Sequence, residues 1–362
     1  MRFEVLKDDF QKALQLVQLS VSSRSVMPIL SGVVLDAHGD GVKVYTTDLE
    51  SSTTTYCAAN VEDEGSCVVN HKILLELSRD FKDEKMVLEL TGNELQVVGE
   101  NNVFKIFTMP KDDFPTPPEV GTLVIDNLEP SLFSRSVQVV SKAASRDEKR
   151  PTLTGIYMDF DGEEMRLVST DSYRLAIKKI REGFRAEERG SYIIPAAPLH
   201  NFSRHVNENG AIKVFRDDNA GQLKFYDGNT GFTVRLIEGK FPRYEQFIPE
   251  SMEKMVEVAK EDLLSALKRA SLVNSIIKLQ VEPGRIILNS ESRDVGEGRE
   301  TLAVDYEGEP VTIAFNGKFL EDGITSVEGD TVVMGINEPL KPGVIKEKGS
   351  EDFIYIIMPV RI

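Results

Sequence analysis

Apolar residues follow helical spacing in some segments of this chain and strand-like alternation in others, and the order of these segments recurs along the sequence. Apolar residues over 10–17 fall on one face of a helix, and short alternating runs separated by glycine turns follow it. A second helix is predicted over 71–82, with Ile73, Leu74 and Leu77 facing inward. Further alternating runs read as strands. The pattern therefore predicts a unit of two amphipathic helices lying on one face of antiparallel sheets.

The unit recurs at a fixed separation. The run PILSG at 28–32 and the run PTLTG at 151–155 are 123 positions apart, and so are Asp48 and Asp171. A third, more divergent copy begins near residue 255, where Asn316 takes the position that Asn70 has in the first copy. Repetition at such a period indicates tandem modules. The fold class expected is α+β, with modules at 1–120, 121–247 and 248–362.

Charge is distributed unevenly over the predicted elements. The chain carries a net charge of −16. The six predicted helices hold 12 basic and 8 acidic residues, and they span 7–21, 71–82, 131–146, 196–206, 261–272 and 317–326. If the modules present their helices on a common side, that side is positive on an otherwise acidic protein. Such a surface attracts a polyanion through its phosphates and does not read bases.

Several classes of protein are disfavoured by the composition. No apolar run approaches the length of a membrane span, and the first residues lack the apolar core of a signal peptide. Cys57 and Cys67 are the only cysteines, which suits reduced thiols in the cytoplasm. His200 and His205 are not spaced as paired metal ligands. We therefore expect a cytoplasmic protein without a cofactor or a metal.

Enzymatic motifs are also absent. The sequence has no phosphate-binding loop of the Walker type and no nucleophile elbow. Asp159, Asp161, Glu163 and Glu164 could bind Mg²⁺ as in a metal-dependent hydrolase, although they bracket a glycine turn typical of a solvated hairpin. A repeat scaffold that never meets DNA is a further alternative. The sequence favours a binding protein over an enzyme.

Four features together resemble one family. They are the threefold repeat, the run 150–155 (RPTLTG), the run 169–176 (STDSYRLA) and the ending 358–362 (MPVRI). With Phe241-Pro242 they are similar to the beta subunit of bacterial DNA polymerase III, the sliding clamp. The resemblance covers the whole chain and implies a processivity factor: a six-domain ring, formed by a head-to-tail homodimer, that encircles duplex DNA with no sequence preference.

The resemblance also implies the surfaces that such a ring uses. Basic residues on or beside the helices would face DNA: Arg24, Lys72, Arg79, Arg135, Lys142, Arg146, Lys149, Arg204 and Lys268. Residues at the dimer seam would be Phe104, Ile106, Leu272 and Val273, with Lys105 near the acidic stretch 297–300. A groove between the second and third modules would accept short linear peptides from the replicative polymerase, the clamp loader and repair proteins.

The groove residues implied by the resemblance come from both modules. The second module would supply Leu153, Thr170, Ser172, Tyr173, Arg174, Leu175, Pro242 and Phe247. The third would supply Asn316, Phe319, Leu340, Ile356, Met358, Pro359, Val360 and Arg361. An apolar trough of this kind suits Leu or Phe side chains, with Met as an adaptable filler. The third module has a connection near 274–278 that is about one helical turn shorter than expected.

Overall fold

The computed structural model describes residues 1–22, 27–117, 121–217 and 221–361. The chain divides into two compact units. The first comprises Met1–Ser134, Gly183–Arg189 and Ala197–Leu236. The second comprises Arg135–Glu182, Gly190–Ala196 and Ile237–Ile362. The predicted central module therefore contributes residues to both units.

Six helices are described, two for each predicted module: α1 (Lys7–Val17), α2 (His71–Asp80), α3 (Pro130–Ser141), α4 (Ala196–Ser203), α5 (Lys260–Ser271) and α6 (Gly317–Ile324). The predicted inward face of α1 is confirmed, since Phe10, Ala13, Leu14 and Val17 are all buried. The prediction for α2 was wrong at Ile73, which is 48% exposed, because the buried face runs through Leu74 and Leu75 instead.

Strands up to residue 186 are β1 (Arg2–Leu6), β2 (Gly32–His38), β3 (Gly41–Thr47), β4 (Ser51–Asp63), β5 (Gly65–Asn70), β6 (Lys85–Thr91), β7 (Glu94–Val98), β8 (Val103–Phe107), β9 (Thr122–Leu128), β10 (Gly155–Phe160), β11 (Met165–Thr170), β12 (Arg174–Ile180) and β13 (Phe184–Ala186). The later strands are β14 (Gly190–Pro195), β15 (Ile212–Asp217), β16 (Gln222–Tyr226), β17 (Gly231–Arg235), β18 (Lys254–Ala259), β19 (Ile276–Glu282), β20 (Arg285–Ser292), β21 (Gly296–Ala303), β22 (Val311–Asn316), β23 (Thr331–Ile336), β24 (Gly343–Glu347) and β25 (Phe353–Ile357).

The first unit contains one 13-stranded antiparallel sheet. Its main path runs β13-β9-β15-β16-β17-β4-β1-β6-β7-β8, and β2, β3 and β5 branch from it. Strands β4 and β17 join the two modules that contribute to this sheet, with Thr54 opposite Gly231. Apolar side chains of α1 and α2 pack against the sheet, and Phe3 and Phe10 meet edge to face within that core.

The second unit contains an eight-stranded and a four-stranded antiparallel sheet. The larger runs β14-β10-β11-β12-β25-β24-β23-β18, and the smaller runs β21-β20-β19-β22. Here β12 and β25 join the modules, with Leu175 opposite Ile356. The two module junctions thus use the same kind of antiparallel strand pair.

The repeat at 123 positions extends to individual hydrogen bonds. Thr47 Oγ1 donates to the carbonyl of Ser51, and Thr170 Oγ1 donates to the carbonyl of Arg174. Leu49 and Ser172 each occupy the centre of their turn with a positive φ of 76° and 79°. Non-glycine residues rarely adopt this conformation, so its recurrence is strong evidence for duplicated modules.

The third module keeps another element of the repeat. The Asn70 side chain accepts a hydrogen bond from the backbone N–H of Ile73 and caps α2. The Asn316 side chain caps α6 in the same way, through the N–H groups of Lys318 and Phe319. Asparagine is a favoured N-cap because it satisfies helix donors that lack partners within the helix.

Candidate functional site

The predicted groove begins at the turn between β11 and β12. The Asp171 carboxylate accepts hydrogen bonds from the backbone N–H groups of Tyr173 and Arg174, at 2.9 and 3.0 Å. This arrangement fixes the turn and forces Ser172 into its positive φ. As a result Tyr173 points outward with 62% of its surface exposed, which makes it available to a partner.

Arg174, predicted as a groove wall, is held by its neighbours. Its guanidinium contacts Asp171 at 2.9 Å and Asp322 at 2.6 Å, and it lies 4.2 Å from the centre of the Phe319 ring. Burial by itself would lower the pKa of Arg174, but Tyr355 and Asp322 raise it overall. The charge of Arg174 is therefore already compensated, and its role here is to tie the start of β12 to α6.

An apolar cluster forms where β12 meets β25. Leu175, Ile177, Ile354 and Ile356 lie together with Val168, Val344 and Tyr244. Tyr157 and Phe241 stack beside them with 5.0 Å between ring centres. Burial, followed by the neighbouring Glu245, raises the pKa of Tyr244 to about 12, so its hydroxyl stays neutral. Sequence reasoning found only Leu175 and Ile356, although alternation along the paired strands could have indicated Ile177 and Ile354.

The segment after β25 returns along this surface. The N–H of Met358 donates to the carbonyl of Tyr173 at 2.8 Å, and the N–H of Val360 donates to the carbonyl of Ala314 at 2.8 Å. A cavity of about 490 Å³ opens beside it, lined by Leu340, Val360 and Arg361 with Thr312, Ile313, Ala314 and Pro339. Its walls are mostly apolar with a few polar side chains, which suits a Leu or Phe side chain.

All 16 predicted groove residues lie within the second unit, but they do not form one continuous surface. Tyr173, Arg174 and Phe319 line a separate cavity of about 630 Å³ near the end of α3. Leu153, Leu175 and Ile356 are almost fully buried. Thr170, Asn316 and Pro359 are half-buried, and Pro242 and Phe247 are exposed beside the cluster. Sequence reasoning missed Arg150, which donates to the Ser172 hydroxyl at 2.9 Å.

Most of the predicted DNA-facing residues are exposed. Arg24 lies outside the described residues, while Lys72, Arg79, Arg135, Arg146, Lys149, Arg204 and Lys268 are exposed. Lys142 is half-buried, and its ammonium donates to the Thr325 hydroxyl at 2.9 Å. Burial lowers the pKa of Lys142.

The predicted helix charge was too positive. Several helices end earlier than expected, and the observed helices hold nine basic and eight acidic residues. Lys142, Arg146 and Arg204 fall just beyond the last turns of α3 and α4. The helices are therefore close to neutral on a chain of net charge −16, and three of the predicted DNA-facing residues lie past helix ends instead of within the helices.

One predicted seam region lies on an open sheet edge, and the other follows α5 and packs beside a second open edge. Strand β8 is the last strand of the 13-stranded sheet, and β21 is the last strand of the four-stranded sheet. Phe104 is 41% exposed and Leu272 is 81% exposed. Ile106, by contrast, is buried in the core of the first unit, and the exposed apolar surface of β8 comes from Val103 and Phe107 in addition to Phe104.

Two more predicted seam residues have contacts within their own unit. Val273 is half-buried and packs near the backbone of Gly298 on β21. Lys105 contacts Glu94 at 3.6 Å, while Glu300 forms paired hydrogen bonds with Arg269 at 2.7 and 2.8 Å.

Two carboxylates of the cluster that could have bound Mg²⁺ in a hydrolase, Glu164 and Asp161, are paired with other groups of the protein. Glu164 accepts a hydrogen bond from Arg166 at 2.5 Å and contacts Arg181 at 2.9 Å, and Asp161 accepts from backbone N–H groups of its own turn. Within the described ranges, no group of three or more His, Cys, Asp or Glu could hold a metal ion. No helix in the described part of the chain is long and apolar enough to cross a membrane.

Comparisons with known proteins agree with a chain of three successive modules. Family models of the DNA polymerase III beta subunit match residues 1–118 (N-terminal domain), 127–243 (central domain) and 245–361 (C-terminal domain). The chain is 33% identical to a beta sliding clamp homolog, GriR, from Streptomyces muensis, covering 100% of this chain and 99% of that one. It is 26% identical to the beta sliding clamp of Streptomyces coelicolor, with both chains fully covered.

A solved structure gives the same result. The crystal structure of the DNA polymerase III beta subunit from Thermotoga maritima matches with a TM-score of 0.92 and 26% identity, covering 100% of this chain and 99% of that one. The repeated turns, the three domain matches and this likeness together cover the whole chain. The chain therefore belongs to the family of the DNA polymerase III beta subunit, the sliding clamps that act as processivity factors in DNA replication.

Proposed function

We propose that two copies of this chain associate head to tail into a six-domain ring that encircles duplex DNA. The observation that carries this proposal is the pair of open sheet edges, β8 and β21, each with exposed apolar residues beside it. An unpaired edge is a template for pairing with another chain. Pairing β8 of one copy with β21 of the second satisfies both edges, and repeating the contact closes the ring.

The ring retains DNA by encircling it and not by binding it tightly. Lys72, Arg79 and Lys268 are exposed, and none of them has an acidic partner within 4.0 Å among the described residues. The other candidates are Arg24, Arg135, Lys142, Arg146, Lys149 and Arg204. Contacts of long cations with phosphates carry no sequence information and weaken with salt, so the ring can slide.

The module junction at β12 and β25 receives short peptides from the replicative polymerase, the clamp loader and repair proteins. Two observations support this assignment: Tyr173 is exposed at the start of the apolar strand pair, and Leu340, Val360 and Arg361 line a cavity with room for a side chain. We propose domain bounds of 1–120, 121–247 and 248–362. The protein acts by binding and not by catalysis, in the bacterial cytoplasm where the chromosome is replicated.

Release from DNA of defined topology tests the ring. The protein is loaded on a nicked circular plasmid by a clamp loader, isolated by gel filtration, and the plasmid is then cut once. Retention on the circle and release after the cut are expected, because a ring slides off a free end. Blocking both ends with a bulky bound protein should restore retention. Equal retention on circular and unblocked linear DNA would exclude enclosure.

A charge-reversal variant tests the DNA-facing residues within the same assay. Lys72→Glu, Arg79→Glu and Lys268→Glu combined should shorten the residence of the loaded ring at low salt, because each change replaces an attraction to phosphate with a repulsion. The matched control combines Lys348→Glu, Arg285→Glu and Lys85→Glu, since these three cations are each paired with a Glu of their own unit. Equal residence of the two variants would contradict the assignment.

A further inference from the structure

The two module junctions place different chemistry at corresponding positions. At the β12–β25 junction the paired side chains are Leu175 with Ile356 and Ile177 with Ile354. The residues 123 positions earlier form the β4–β17 junction, where Ser52 pairs with Thr233 and Thr54 with Gly231. The same backbone arrangement thus carries an apolar cluster at one junction and small polar residues at the other.

A cavity of about 600 Å³ lies at this polar junction within the first unit. Thr54, Gly231 and Thr233 line its centre, and Lys43 and Lys224 line it from β3 and β16. Its remaining walls are Tyr56, Pro117, Phe215, Tyr226 and Asn229. No carboxylate is among these described lining residues, on a chain whose net charge is −16.

Gly231 leaves room for the side chain of one lysine. A Cβ at residue 231 would come within 2.8 Å of the Cε of Lys224, so the lysine stem lies across the space that a larger residue would fill. The corresponding residue of the other junction is Ile354, which fills its space with an apolar side chain.

The two lysines lack acidic partners. Neither has a carboxylate within 4.0 Å in the part of the chain that the structure describes, although Asp36 is the cross-strand neighbour of Lys43. Lys43 lies over the Tyr45 ring at 5.5 Å, and Lys224 lies over the Tyr226 ring at 5.9 Å. Burial, and then the nearby Lys43, lowers the pKa of Lys224. An anion between the two ammonium groups would relieve this repulsion.

We propose that the β4–β17 junction is a second binding site, which takes an acidic linear peptide through Lys43 and Lys224. Asp or Glu side chains of the peptide pair with the two ammonium groups, and its carbon chains contact Tyr56 and Phe215. Charge complementarity selects this occupant, because the described walls of this cavity carry two lysines and no carboxylate, whereas the corresponding junction of the second unit is apolar.

A nucleic acid fits these observations less well. Lysines interleaved with aromatic rings on a sheet do occur in single-strand binding. A nucleic acid strand, however, carries one phosphate per nucleotide and would extend beyond the two lysines. On the same face of the sheet it would then approach Asp36, beside Lys43, and Asp217, beyond Phe215 on β15. A peptide can confine its charge to the cavity, whereas a polyphosphate cannot.

Fluorescence anisotropy with three labelled probes tests the site on the full chain. The probes are a diglutamate hexapeptide (Ser-Gly-Glu-Glu-Gly-Ser with blocked termini), the diglutamine hexapeptide in which both Glu are replaced by Gln, and a hexamer of thymidylate. We expect the wild-type chain to bind the diglutamate hexapeptide at low ionic strength, and Lys43→Gln with Lys224→Gln to weaken it by about tenfold or more, because each charge-assisted contact is lost. Lys213→Gln is the matched control, because Lys213 lies on the neighbouring strand β15 but contacts Asp126 at 3.1 Å.

Each outcome decides the proposal. Binding of the diglutamate hexapeptide that the double variant loses and the control keeps supports it. Absence of binding, equal binding by the diglutamine hexapeptide, or equal affinity of the double variant and the control would overturn it. Tighter binding of the thymidylate hexamer, lost in the double variant, would replace the peptide with single-stranded DNA. Binding of a Leu/Phe peptide to the apolar junction, unchanged in the double variant, shows that the variant is folded.

Discussion

Arg174 and Asp322 form a largely buried ion pair, with 2.6 Å between the guanidinium Nη1 and the carboxylate Oδ2. Their side chains are only 11% and 14% exposed. The pair connects the turn that follows β11 to helix α6, two elements separated by almost 150 residues of sequence. Asp171, which accepts a hydrogen bond from the backbone N–H of Tyr173, is the second carboxylate that contacts Arg174.

Asp322→Asn should lower the free energy of unfolding by about 3 kcal/mol, because it leaves a buried guanidinium without one of its two carboxylates. Urea denaturation followed by circular dichroism measures this change. Glu338→Gln is the control, since its pair with Lys341 at 2.8 Å is exposed and should contribute nothing measurable. Similar losses in both variants would show that the Arg174 pair is as weak as a surface pair.

Removal of residues 358–362 should abolish binding of a pentapeptide that contains Leu and Phe, while the dimer persists. The deletion removes the backbone hydrogen bonds from Met358 to Tyr173 and from Val360 to Ala314, and with them one wall of the adjacent cavity. Isothermal calorimetry measures the affinity and light scattering the mass. Lys341→Gln, next to Leu340 but outside the cavity lining, should keep full affinity; peptide binding by the deleted chain would refute the placement.

Phe104→Asp combined with Phe107→Asp should convert the dimer to a monomer at micromolar concentration. Both rings are exposed on the open edge β8, at 41% and 78%, and a carboxylate there would have to be desolvated in the seam. Light scattering gives the mass directly. The control is Leu49→Asp, which introduces a carboxylate at a turn residue that is 49% exposed. This variant should remain dimeric. A wild-type mass equal to one chain would exclude the proposed dimer.

Acidification should destabilise the first unit through His71. Its imidazole Nε2–H donates to the carbonyl of Leu14 at 2.8 Å, and burial lowers the pKa of this ring in the folded state. The unfolded chain then binds a proton that the folded chain does not, so stability falls as the pH drops below about 6.5. His71→Gln should reduce this dependence between pH 5 and 8 in urea midpoints, whereas His205→Gln, at an exposed site, should not. Parallel curves for wild type and His71→Gln would contradict this role.

Repetition was the part of the fold that sequence could predict. The separation of Asp48 and Asp171 indicated duplicated turns, and the structure gives both turns the same hydrogen bonds and the same positive φ. The helix starts predicted at residues 71 and 317 are likewise confirmed, and each follows an asparagine that caps the helix. A polar residue that must satisfy backbone donors leaves a local signal, because its partners are near in sequence.

The burial of individual apolar residues and the partners of buried charges could not be predicted from sequence, because both depend on tertiary packing. Ile73 is exposed and Ile106 is buried, although both are apolar residues on amphipathic elements. Which face of a short element is covered depends on its neighbours and not on its own period. Asp322, which compensates the charge of Arg174, is remote in sequence and could not be identified before the fold was known.

The contrast between Leu175–Ile356 and Ser52–Thr233 has a consequence for inhibitors. A lipophilic compound shaped to the first pair finds hydroxyl groups and a lysine stem at the second, where it would have to strip water from them without replacing their hydrogen bonds. Such a compound should saturate at one molecule per chain. Although the chain contains two corresponding module junctions, such an inhibitor should therefore bind at only one of them.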